Sequence, residues 1–208
     1  MKRKFIGVYN PSIILTYIGV FCAMVGIGLL LGAQGKDLSH TLDTGMILLI
    51  AAGVCDMFDG VVARRIKRTE QEKLFGIQLD SLADTVSFVA YPATILLFVT
   101  QFHPASIVIA CFYVFAGIMR LGWFNVTAEE NKGLYKGLPE TAAAIIFPLF
   151  YVVLRLWNLT YLPLVFPAVF ACVGVLFILN FQIKKPSLKT LLPLAVLAVA
   201  GVIGLLLF

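Results

Sequence analysis

Four aspartates lie where aspartate is costly. Asp56, Asp59, Asp80 and Asp84 sit within or at the ends of long apolar runs. A carboxylate at the centre of a membrane span costs about 2.5–3.5 kcal/mol even on the lenient insertion scale, so four cost roughly 10 kcal/mol unless something offsets them. Their spacing suggests the offset. Asp56 and Asp59 are related as i and i+3, Asp80 and Asp84 as i and i+4, so each pair falls on one helix face. The two runs are consecutive and joined by a short basic stretch, which makes them antiparallel neighbours with both pairs near the same membrane edge. Four converging carboxylates repel one another unless cations sit among them. Hard, all-oxygen donors suit Mg²⁺, Mn²⁺ or Ca²⁺ better than zinc. Two such ions would balance the four charges, and ion pairs of this kind suit phosphoryl-group chemistry.

The residues around the aspartates extend this reading. Gly60 follows Asp59, and Ala63 lies near it on the same face, so a bulky ligand can approach the backbone there. Arg64 can hold a phosphate bidentately; taken alone, it reads equally well as an interfacial anchor. The four cysteines, Cys22, Cys55, Cys111 and Cys172, all lie in apolar stretches with no pairing pattern and read as buried small hydrophobes.

The elements that must position these residues are membrane helices. The chain has 208 residues, of which 61% are hydrophobic and 13% charged, with a mean hydropathy of +0.98. Soluble domains carry about twice that charge. Seven continuously apolar runs approach the length of about 20 residues needed to span, near 12–32, 46–66, 77–100, 104–124, 138–157, 161–182 and 190–208. They lack the alternation of a β-barrel. The chain is therefore expected to be one all-α integral membrane domain over 1–208. Of the 16 lysines and arginines, only Lys36 and Arg155 fall on the side opposite the N-terminus. The positive-inside rule then puts the N-terminus and the aspartates at the cytoplasmic face. The same distribution explains the net charge of +5 by an anionic leaflet rather than nucleic acid. Gly28 and Gly32 form a GxxxG in the first run, which fits tight packing within the chain or a dimer contact.

Asp56-x-x-Asp59-Gly60-x-x-Ala63-Arg64, followed by Gly76-x-x-x-Asp80-x-x-x-Asp84, resembles the signature of the CDP-alcohol phosphotransferases. Eleven residues separate Arg64 from Gly76, where the usual form has eight. The resemblance implies a six-helix core, here with one additional C-terminal transmembrane helix, usually dimeric and open to the cytoplasm. It implies transfer of a phosphatidyl-type group from a CDP-linked lipid to an alcohol, with release of CMP. By position, Asp56, Asp59, Asp80 and Asp84 would ligate metal, Mg²⁺ or Mn²⁺ with Ca²⁺ a third choice. Asp84 would also be the general base. Gly60, Ala63, Arg64 and Gly76 would line the CDP pocket. The family's Pro-Asn before the first helix is replaced by Pro11-Ser12, ahead of Thr16, so no contact is carried over there.

Ser81-Leu82-Ala83 between the last aspartates resembles the phosphatidylserine synthases of this family. So do Arg120-Leu121-Gly122-Trp123-Phe124-Asn125 and Lys136-Gly137-Leu138-Pro139, and together the matches span about 53–145. CDP-diacylglycerol and L-serine are then the expected substrates, in a homodimer embedded in membrane lipid. Arg120, Asn125 and Lys136 are expected at the acceptor site, with Arg120 or Lys136 on the serine carboxylate; both also fit as interfacial anchors. Glu140 would meet the ammonium or simply favour a helix start. Rival readings are another acceptor (glycerol 3-phosphate or inositol phosphate), an archaeal ether-lipid donor and, more distantly, an ion-coupled transporter. The transporter predicts acids spread across the midplane, whereas these cluster at one face.

Overall fold

A computed structural model describes residues 7–33, 38–127, 134–184 and the single positions 193, 200, 201, 203 and 204. Its elements are α1 (Ile14–Leu31), α2 (Leu38–Arg65), α3 (Glu70–Asp84), α4 (Tyr91–Val99), α5 (Pro104–Thr127), β1 (Leu134–Lys136), α6 (Ala143–Trp157), α7 (Leu162–Ile178) and β2 (Gln182–Lys184). A π-helical stretch, Thr85–Ala90, joins α3 to α4 without a break. Among the described residues, six helical segments are long and apolar enough to cross a membrane, the third running from Glu70 to Val99. The all-α membrane architecture is therefore as expected. The expected span at 190–208 lies largely outside the described residues.

Local chemistry sets the helix ends. Asn10 accepts from the Ser12 amide at 3.1 Å and caps a 3₁₀ turn with Pro11 at its first position, a position where the missing N–H costs nothing. The connection from α2 to α3 is much shorter than expected, only residues 66–69. The span predicted to start near 77 begins at Glu70, because Thr69 and Glu72 form a reciprocal capping box that satisfies two orphan amides. Similarly, α2 begins eight residues before the predicted 46. Asp43, expected in a loop, is 7% exposed and accepts from Tyr151 Oη at 2.7 Å. It also forms an ion pair with Arg155 at the end of α6.

The helices pack as α1 on α2, α2 on α6, α4 on both α1 and α5, and α5 on α7. Close approaches occur where side chains are missing. A Cβ on Gly26 would stand 2.0 Å from the Tyr91 hydroxyl, which donates to Gly45 O at 2.6 Å. By contrast, a Cβ on Gly28 would meet nothing within 4 Å, so the tight contact on α1 is at Gly26 and not within the GxxxG. Tyr113, Phe147 and Phe170 form the centre of the α5–α6–α7 core, with the two phenylalanine rings stacked 3.9 Å apart. A short antiparallel ribbon, β1 with β2, was not expected. It carries the chain into Gly137, whose φ of +72° is the left-handed region that favours glycine. A Cβ there would also stand 2.6 Å from Phe177 O.

Candidate active site

Helical periodicity and the short α2–α3 connection bring the aspartates together. One oxygen from each of Asp56, Asp80 and Asp84 lies within 4.8 Å of the others. Across the helix pair the Asp56 side chain faces Asp84, and Asp59 faces Asp80. Asp59 is 9% exposed and accepts from Thr16 Oγ1 of α1 at 3.0 Å. Thr16, Asp56, Asp59, Asp84 and Ser87 share one small crevice between α1, α2 and the third span. The fourth aspartate is thus next to the triad but tied to a third helix.

This donor set fits a divalent cation. Carboxylates so close to one another in an apolar bundle need a proton or a positive ion between them. Oxygen-only donors from two helices match the preferences of magnesium or manganese.

The segment after Asp84 is held in an unusual way. The Tyr91 amide reaches back to Val86 O, the five-residue step of a π turn, a form found often at functional sites. Tyr113 Oη of α5 donates to Phe88 O at 2.7 Å. A Cβ on Gly117 would stand 2.7 Å from Val89 Cγ2, so α5 lies directly against this turn.

The expected nucleotide-lining residues lie on α2 and α3 between the aspartates and the connection at 66–69. Arg64 Nη1 stands 3.8 Å from where a Gly60 Cβ would be. Gly76 has Arg68 Nη1 at 3.3 Å from its Cβ position, a neighbour the sequence did not suggest. Ala63 is half-buried on α2.

The expected acceptor residues have different placements. Asn125 Oδ1 accepts from Ser81 Oγ at 3.0 Å, which ties the end of α5 to the helix bearing Asp80 and Asp84. Arg120 is 6% exposed and forms an ion pair with Glu140, itself 2% exposed; the Phe124 ring lies 5.6 Å from its guanidinium carbon. That is a clasp between α5 and the entrance of α6, and it leaves neither side chain at a surface open to a substrate. Lys136 lies in β1, and its side chain is outside the described residues.

Residues 9–199 match the family model of the CDP-alcohol phosphatidyltransferases. The chain belongs to this family. Among curated relatives, the archaetidylserine synthase of Methanothermobacter thermautotrophicus is 33% identical over 117 residues, covering 56% of this chain and 49% of that protein. The CDP-diacylglycerol–serine O-phosphatidyltransferase of Saccharomyces cerevisiae is 36% identical over 114 residues, covering 50% and 40%. The Bacillus subtilis protein of the same name is 29% identical over 154 residues, covering 73% and 80%. The chain spans about half the length or less of the first two and four fifths of the third.

Proposed function

We propose that the chain transfers a phosphatidyl group from CDP-diacylglycerol to L-serine, giving phosphatidylserine and CMP. The observation that carries the reading is the convergence of Asp56, Asp80 and Asp84. The names of the three relatives support serine as the acceptor. An archaeal ether lipid as donor stays within the same chemistry, because the aspartates meet the headgroup and not the tails.

Asp56, Asp80 and Asp84 would hold one divalent cation, Mg²⁺ or Mn²⁺, and Asp59 with Asp80 would help to hold a second. Bound there, such ions neutralise the charge of the diphosphate and ease departure of CMP. Gly60, Ala63 and Gly76 leave room for the nucleotide, and Arg64 holds a phosphate. Asp84 takes the proton from the serine hydroxyl as its oxygen forms a bond to the lipid-side phosphorus. The bond from that phosphorus to CMP breaks, and CMP leaves with the electron pair. Asn125, fixed by Ser81, and Lys136 bind the amino acid. Arg120 and Glu140 act at one remove, by holding α5 against α6.

The reading also places the site at the cytoplasmic face, as the basic residues suggest. It includes a homodimer, for which the open face at Gly28 offers room.

The Asp84→Asn variant tests the assignment of the base. Proton transfer by a positioned group contributes about 10²–10⁴-fold, so CMP release should fall by at least the lower figure while the purified variant elutes and melts like the parent. Turnover at the parental rate would refute Asp84 as the base.

A further inference from the structure

We infer that Arg68 is a second phosphate-binding arginine, which together with Arg64 grips the diphosphate of a cytidine nucleotide at the mouth of the aspartate cluster. The inference rests on the reading above that the site takes such a nucleotide.

Two rows of residues define the mouth. On α2, Asp56, Gly60 and Arg64 follow at four-residue intervals; on α3, Gly76, Asp80 and Asp84 do the same. Residues so spaced share one helix face. The helices are antiparallel, so each row leads from carboxylates through a glycine to the connection at 66–69. Arg64 folds back along its own row to Gly60, whereas Arg68 crosses from the connection to Gly76 on the other row. Among the described residues, each guanidinium is the only neighbour that a Cβ on its glycine would meet within 4 Å. The bare backbone at 60 and 76 lets both come down onto the helix surfaces.

Among the described residues, no carboxylate takes up their charges. Among the described residues Arg64 and Arg68 form no ion pair, whereas Lys73, Arg120 and Arg155 pair with Glu70, Glu140 and Asp43. Two guanidiniums over two glycines, one on each of the two helices that carry the aspartates, suit two linked phosphates. The planar, forked donors of arginine match phosphate oxygens bidentately. Arg65 is the internal comparison: it is adjacent to Arg64 and exposed, yet neither glycine has it as a neighbour.

The test uses the full chain in detergent with saturating Mg²⁺, titrated calorimetrically with CDP and, separately, with cytidine. Losing a hydrogen-bonded charge should weaken CDP binding by about 10-fold or more in Arg68→Ala. Arg68→Lys should recover only part of that, because an ammonium lacks the fork. Arg65→Ala should stay within about twofold of the parent, as surface changes do. Cytidine, which has no phosphate, should bind all variants alike. Unchanged CDP affinity in Arg68→Ala would overturn the inference, and so would an equal loss for CDP and cytidine. Failure of the parent chain to bind CDP would instead refute the nucleotide reading itself, and the inference with it.

Discussion

At the residue scale, the four aspartates are not equivalent. Asp56, Asp80 and Asp84 form the triad, while Asp59 is fixed by a hydroxyl from α1. That bond gives Thr16 a positioning role. Thr16→Val keeps the shape and removes the donor. A net hydrogen bond is worth about 1 kcal/mol, so the Mg²⁺ concentration for half-maximal CMP release should rise about fivefold, with little change in melting temperature. An unchanged Mg²⁺ requirement would show that Asp59 needs no such support. The aspartates and their spacing were legible in the sequence, because intramembrane acids are conspicuous and helix periodicity fixes which of them share a face. The Thr16–Asp59 bond was not, since 43 residues separate the partners and no local pattern links them. The pairing of Arg120 was equally illegible. Its position at a span end left a substrate contact and an interfacial anchor both open, and the structure pairs it with Glu140, twenty residues on. Hydropathy does not report such pairings.

At the element scale, charged turns hid helix starts. The stretch 70–73 reads as loop by hydropathy, although the Thr69-x-x-Glu72 pattern is a local helix-start signal. The eleven residues between Arg64 and Gly76 therefore divide among the last residue of α2, a four-residue connection and the first turns of α3. The start of α2 was hidden in the same way by Asp43, whose cost is offset by Arg155 and Tyr151 of α6. This cluster holds the end of α2 opposite the active site. Removing one partner of a buried pair leaves an uncompensated charge, a loss of about 3–5 kcal/mol. Arg155→Met should accordingly lower the thermal stability of the detergent-purified chain sharply, and adding Asp43→Asn should restore part of it. If the single and double variants melt like the parent, the pair is not the α2–α6 clasp. The π turn after Asp84 was also illegible. It depends on α5, through Tyr113 and Gly117, and the sequence of Thr85–Ala90 alone gives no reason to leave the α-helix.

At the scale of the whole molecule, the six spans among the described residues put the aspartate cluster and the α2–α3 connection at one end of the bundle, and the Asp43–Arg155 pair at the other. The distribution of basic residues predicts that the first end is cytoplasmic. Single cysteines at Lys67 and Thr160, both exposed, test this once the native cysteines are replaced. In right-side-out vesicles a membrane-impermeant thiol reagent should label the position 160 variant and spare the position 67 variant until the membrane is opened. The reverse pattern would invert the topology and move the proposed site to the outer face.

We propose that this cluster serves transfer to serine. Its most direct measurement is CMP release by the purified chain from CDP-diacylglycerol with Mg²⁺ or Mn²⁺, with L-serine, glycerol 3-phosphate or inositol phosphate supplied in turn. The account predicts release that depends on both the divalent ion and serine, with serine carbon recovered in the lipid product. Release stimulated by another acceptor and not by serine would contradict it.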